Sequence, residues 1–377
     1  MASDDTDRFE DDGFEHDASV SLTRDKWIQA QRDLVTTTLD YNLQAVARLV
    51  SDGAIDLSPA FQRRDRWDVQ RQSQLIESFL MNVPLPPIFL NEDDFGSYSI
   101  IDGKQRLTAV SDYMLDKFPL QGLDVFSEAE GLRFSELDRG LRMVLETRAS
   151  LRAIIILRMS DPEIKYQVFQ RLNTGGVRLN AQELRNVAFA GTFNDAIVEW
   201  AGSDVFAGLL GIQSDLDRER SALWKQMRDV ELVLRFFTLR ENWSVFSGSL
   251  VRDMNNFAGT HRQDNKKSLA ALKKEFDASV AKVEVVFADT AFRRYNSDQG
   301  RHGNQVLASV YDAQMLALSA FELNDLKDNA QQIRDGMKAL FADAEFLAVV
   351  GAATNTPRSL RERVERTSAM VQAAIGN

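Results

Sequence analysis

The chain has 377 residues, enough for two ordinary domains, and 44% hydrophobic with 27% charged residues excludes a wholly disordered polymer. It holds no cysteine and only three histidines, His16, His261 and His302, which excludes disulfides, thiolate zinc sites, a cysteine nucleophile and a histidine-rich metal centre. The formal net charge is −11, so any contact with nucleic acid has to use a local basic patch.

In chain order, residues 1–17 carry six Asp and two Glu against one Arg and lack apolar periodicity. With the residues up to 24 they read as a disordered acidic tail. From 25 to 190 short strands, at 55–57, 87–90, 98–101 and 152–157, alternate with helices at 43–51, 69–81, 105–115 and 161–172. Six of the seven prolines lie at or before Pro162 and the seventh is Pro357, which leaves 194 consecutive residues without one. Within that stretch Leu232, Leu234, Phe236 and Phe237, then Leu272, Phe276, Val280, Val283 and Val285, recur at spacings that predict helices. The expected fold class is an α+β domain over 25–190 followed by an all-α domain over 191–377, the latter with Trp200, Trp224 and Trp243 as core anchors. No apolar run approaches the ~20 residues of a membrane helix and no signal peptide opens the chain, so a cytoplasmic protein without membrane contact is expected.

Three segments carry chemistry. Ser97 to Val110 reads as a strand, a turn at Asp102-Gly103 and a helix starting near Lys104. Lys104 and Arg106 then lie in a first turn whose dipole disfavours cations by ~0.3–1 kcal/mol each, unless an anion shares the site. Phosphate binding there competes with a plain reading in which Asp102 caps the helix, Gly103 turns and the cations are solvated. In Phe61-Gln62-Arg63-Arg64-Asp65-Arg66-Trp67 the arginines form an anion clamp or a solvated turn between two core aromatics. In the segment 166–186 a helix ends near Leu172 and Asn173-Thr174-Gly175-Gly176 forms a loop. Asn180 with Glu183 spells a capping box for the next helix.

Taken together, F-Q-R-R-x-x-W, I-D-G-K-Q-R-L-T-A and F-x-R-L-N-T-G-G-x-x-L-x-x-x-E-L-R resemble the N-terminal domain of GmrSD-type modification-dependent restriction enzymes, also found in SspE-like phage-defence proteins. The resemblance covers roughly residues 35–190. It implies a ParB/sulfiredoxin-like fold that grips a nucleoside triphosphate, with Mg2+, at a helix start. By that resemblance Asp102, Gln105 and Arg106 are catalytic, and Gln62, Arg63, Gly103, Lys104, Gln105, Arg106, Asn173 and Thr174 hold the nucleotide, Asn173 also being the metal candidate. The family's D-G-Q-Q-R stands here as D-G-K-Q-R, and this lysine leaves hydrolysis open. Many relatives end in a His-Asn-His nuclease; the contexts of His261 and His302 do not match one, and both read as ordinary surface residues.

The resemblance thus implies a nucleotide-binding, hydrolysing component of a prokaryotic restriction or anti-phage system. Its implied partners are DNA (modified or phage), an effector protein or nuclease, and a homo-oligomer as an open question. Arg106→Ala is expected to abolish nucleotide binding with the fold intact. The first alternative is a Mg2+-dependent endonuclease using Asp102-x-Lys104 with Glu92, Asp93 and Asp94. The second is a non-catalytic DNA- or protein-binding module using Arg358, Arg361, Arg363 and Arg366, which otherwise form a solvated basic face.

Overall fold

The computed structural model describes residue 24 and residues 33–57, 67–172, 179–351 and 354–376. The expected acidic tail therefore lies, Arg24 apart, outside the described residues. These residues fall into two compact units, one made by 33–57 with 67–172 and the other by 179–351 with 354–376.

The first unit is α+β. A mixed five-stranded sheet has the order β1 (Thr36–Asn42), β5 (Ser150–Ile156), β3 (Ile88–Asp94), β4 (Ser97–Asp102), β2 (Ile55–Asp56). β1 runs antiparallel to β5, β5 parallel to β3, β3 antiparallel to β4 and β4 parallel to β2. Sequence patterning missed β1, because this edge strand has no fully buried residue and carries only Leu39 and Tyr41 as large apolar side chains. Its Thr36-Thr37-Thr38 run is nevertheless β-branched and suits a pleated edge.

Helices α1 (Leu43–Ser51), α2 (Val69–Leu80) and α3 (Lys104–Met114) cover one face of this sheet. Asn42 caps α1 by accepting from the Ala45 N–H at 2.8 Å, and Asp68 caps α2 by accepting from Arg71 N–H at 2.8 Å. Leu43, Val46, Leu75, Ile76, Phe79, Leu107, Val110 and Tyr113 bury against Ile88, Leu90, Ile100, Leu151, Ala153 and Ile155 in one core. Glu77 of α2 is also buried, and its carboxylate accepts the N–H groups of Asp124, Val125 and Phe126 at 3.1, 2.7 and 2.9 Å. Burial alone would raise its pKa, but these three bonds outweigh it and hold the group below the ordinary carboxylate value. A short helix, α4 (Arg139–Met143), leads toward β5, and α5 (Pro162–Leu172) packs against β4.

The second unit is mostly helical: α6 (Ala181–Ala188), α7 (Thr192–Ala201), α8 (Asp204–Leu209), α9 (Asp215–Arg220), α10 (Ala222–Lys225), α11 (Arg228–Leu239), α12 (Leu250–His261), α13 (Lys266–Phe287), α14 (Ala308–Ser319), α15 (Leu323–Asp328), α16 (Ala330–Leu340), α17 (Ala344–Gly351) and α18 (Pro357–Ile375). It is not all-α. An antiparallel ribbon of β6 (Arg293–Asn296) and β7 (Arg301–Val306) interrupts it, turning at Gly300 with a left-handed φ of 64°. Freedom from proline signals helix only where apolar residues recur every three or four positions, and the polar stretch 293–305 has no such recurrence.

Helix α14 is the hub, burying every residue from Ser309 to Leu318. Its Asp312 forms a bidentate pair with Arg235 of α11 at 2.6 Å on each oxygen, and the same carboxylate meets Arg363 of α18. Of the expected tryptophan anchors only Trp200 is in the core, edge-on to Phe237 at 5.8 Å. Trp224 is half-buried beneath Arg218 and Trp243 is half-buried in a turn.

Candidate functional site

The segment flagged first in the sequence forms a strand-to-helix turn. Strand β4 ends at Asp102, Gly103 adopts a left-handed φ of 99°, and α3 starts at Lys104. Gly103 is required twice over, because a Cβ there would also fall 2.4 Å from the Ile88 Cγ2 of β3. No side chain caps this helix, so Asp102 does not play the capping part open to it. It pairs instead with Arg106 at 2.9 Å, one helical turn on.

Arg106 is the tie-point of the turn. Besides Asp102 it donates to the Pro87 carbonyl at 3.1 Å and to the Pro86 carbonyl. Its side chain is only 13% exposed, and burial lowers its pKa against the raising effect of Asp102. Gln105 reaches another way: its Oε1 accepts the Trp67 N–H at 3.0 Å, while Gln72 donates to the Trp67 carbonyl at 2.7 Å. The end of the F-Q-R-R-x-x-W motif is thereby fixed onto the D-G-K-Q-R turn. Lys104 is half-buried at the first helical position. Gln62, Arg63, Asn173 and Thr174 lie outside the described residues.

A second polar group lies beside the same two strands and was only half legible in the sequence. Asn91 donates to Asp93 at 2.7 Å, Ser99 donates to the same oxygen at 3.1 Å, and the buried Lys165 of α5 donates to the Asn91 side-chain Oδ1 at 3.1 Å. Desolvation is the largest influence on Asp93 and raises its pKa. The bonds from Asn91 and Ser99 and the Lys165 charge oppose this, and Asp56 adds to it. The acidic residues were visible as Glu92-Asp93-Asp94; the available signal for Lys165 was its position four residues before the buried Phe169.

The carboxylates proposed for a nuclease do not converge. Asp102 meets Arg106, Asp93 meets Asn91 and Ser99, and Asp94 meets Arg158 at 2.9 Å, whose backbone N–H goes to Glu92. Among the described residues no three acidic or histidine side chains gather as a metal site. His261 and His302 are half-buried rather than surface residues. His261 Nδ1 lies 2.8 Å from Asp264, and its ring stacks on Phe257 beside a cleft of about 410 Å³. His302 sits edge-on to Tyr295, and burial leads the lowering of its pKa.

The four arginines of the last helix do not form one solvated basic face, although Arg358 stays exposed. Arg363 is buried on Asp312, Arg366 pairs with Asp343 at 2.7 Å, Arg358 with Glu362 at 3.5 Å, and Arg361 donates to the Ser244 carbonyl at 3.4 Å.

The family model for the GmrSD restriction endonuclease N-terminal domain matches residues 46–190. This segment is a GmrSD-type N-terminal domain. The resemblance read from the three motifs is thereby borne out. Searches of curated proteins and of solved structures returned no match. The GmrSD-type segment takes in strands β2 to β5, the 102–106 turn and, within the second unit, α6. The capping box at the head of α6 is present as read: Asn180 accepts the Gln182 and Glu183 N–H groups, and Glu183 accepts the Asn180 N–H at 2.6 Å. No helix among the described residues is long and apolar enough to cross a membrane.

Proposed function

We propose that this chain is a component of a prokaryotic restriction or anti-phage system that binds a nucleoside triphosphate at the 102–106 turn and uses its occupancy or hydrolysis to control action on DNA. The observation that carries the reading is the start of α3: a left-handed glycine, no side-chain cap and two cations in the first turn, inside a GmrSD-type domain. Helix N–H groups and the dipole favour an anion there, beside the cationic side chains of Lys104 and Arg106. Phosphoryl transfer depends chiefly on positioning and charge stabilisation, which such a turn supplies. The ParB/sulfiredoxin-like character of the fold, the Mg2+ and the part of Asn173 belong to the same proposal and rest on the family resemblance.

Arg106 already serves the fold, so loss of binding in an Arg106 variant would not by itself separate ligand contact from stability. The test mixes the full chain with each of the four ribonucleoside triphosphates and Mg2+, recording thermal shift and phosphate release together. A ligand at a hundred times its Kd stabilises by about 2.7 kcal/mol, a shift of several degrees. Stabilisation by one or more triphosphates supports the reading, and phosphate release makes the chain an NTPase. No shift with any of them refutes it.

A further inference from the structure

We infer that the β6–β7 ribbon of the second unit is a surface that contacts duplex DNA; this rests on the DNA-directed reading above and names the part of the chain that would carry it. A protein of net charge −11 meets DNA only through a local basic patch, and in the last helix Arg363 and Arg366 are spent on Asp312 and Asp343, while the exposed Arg358 pairs with Glu362 of the same helix. The ribbon differs. Residues 293–306 hold Arg293, Arg294 and Arg301 against the single acid Asp298.

Its base is firmly anchored. Arg293 donates to the Leu209 and Ala291 carbonyls at 2.8 and 2.7 Å, Phe292 N–H donates to Gln314 at 2.7 Å, and Tyr295 packs against His302. Its other side chains face water: Arg294, Arg301, Asn304 and Gln305 are exposed, with no large apolar residue among them. The Arg301 side chain holds only the Gln299 amide oxygen, at 3.1 Å, and the side chains of Arg294, Asn304 and Gln305 make no hydrogen bond or ion pair among the described residues.

Register brings these residues together. Arg293 pairs with Val306 and Tyr295 with His302, so Arg294 stands opposite a bulge that contains Gly303, Asn304 and Gln305. A bulge re-aims side chains and sharpens the local twist. Two strands fit a major groove ~12 Å wide, and Arg, Asn and Gln are the side chains that pair bidentately with guanine and adenine edges there. Ribbon geometry, positive charge and unspent hydrogen-bonding groups point to the same partner.

The test measures binding of a short fluorescent duplex to the full chain across a salt series, with and without each ribonucleoside triphosphate. The Arg294→Ala/Arg301→Ala chain is expected to bind at least tenfold more weakly, with a salt slope shallower by about one for each phosphate that an arginine no longer neutralises. Arg358→Ala, the control, is expected to bind as the parent does. The double variant is expected to keep the parent's melting temperature and nucleotide shift, since its side chains support no packing. Equal affinity of variant and parent overturns the ribbon while leaving DNA binding in place. A parent that binds no duplex under any condition overturns the DNA reading itself. Preference for RNA or single strands, lost in the variant, overturns the assignment of the partner.

Discussion

Replacing Arg106 by alanine is expected to weaken the first unit even when no nucleotide is present. The guanidinium reaches three acceptors, the Asp102 carboxylate at 2.9 Å and the Pro86 and Pro87 carbonyls, from a side chain 13% exposed. Hydrogen bonds with a charged partner contribute ~1.5–3 kcal/mol each; with water reaching part of the gap left by alanine, the net loss is roughly 2–4 kcal/mol. For a unit of this size that corresponds to a fall in melting temperature of about 6–12 °C. Urea unfolding followed by circular dichroism measures the loss, and hydrogen exchange across α3 and residues 84–88 localises it. Arg106→Lys, which keeps the charge but cannot span all three acceptors, should fall between. An alanine variant with the parent's unfolding midpoint and unchanged exchange would refute the reasoning. The sequence reading, in which the same variant leaves the fold intact, regarded Arg106 as a ligand contact alone.

Asp312→Asn should cost ~3–5 kcal/mol, since it leaves Arg235 and Arg363 buried around a neutral group. The apolar triple Asp312→Leu/Arg235→Met/Arg363→Leu should recover most of this in the same urea titration, and a triple as weak as the single variant would show that charge is not the cause. Asp229, buried at the start of α11 with Oδ1 unpartnered, has its pKa pushed from 3.8 to about 7, chiefly by desolvation. The folded state favours its neutral form, so the contribution to stability is present below about pH 4 and is lost as the pH rises to about 7. The parent should therefore lose roughly 3 kcal/mol relative to Asp229→Asn between pH 5 and pH 8. Parallel pH profiles of the two proteins would contradict this.

Much of the first unit could be read from the sequence, because its elements are short and carry clear punctuation. Helix α1 occupies the expected 43–51, and α2, α3 and α5 differ from expectation by a residue or so at an end. Capping residues Asn42 and Asp68 and the Asp102-Gly103 turn mark those boundaries chemically. What escaped was tertiary. β1 owes its existence to pairing with β5, and the ribbon depends on partners such as Gln314 that are distant in sequence. The Asp102-Gly103 turn and the helix after it were legible, but not what their side chains hold: nothing in D-G-K-Q-R says that the arginine turns back to Pro86 and Pro87 or that the glutamine holds Trp67. Likewise, the arginines of the last helix look uniformly solvated until Asp312 and Asp343 are seen opposite Arg363 and Arg366.

The most direct test of the central claim is equilibrium binding of Mg2+-nucleoside triphosphate to the parent chain and to Lys104→Ala, in protein shown to have the same melting temperature. The proposed site predicts at least a tenfold loss of affinity, about 1.4 kcal/mol, on removing this first-turn cation. Equal affinity in the two proteins would contradict it and place any nucleotide elsewhere in the molecule.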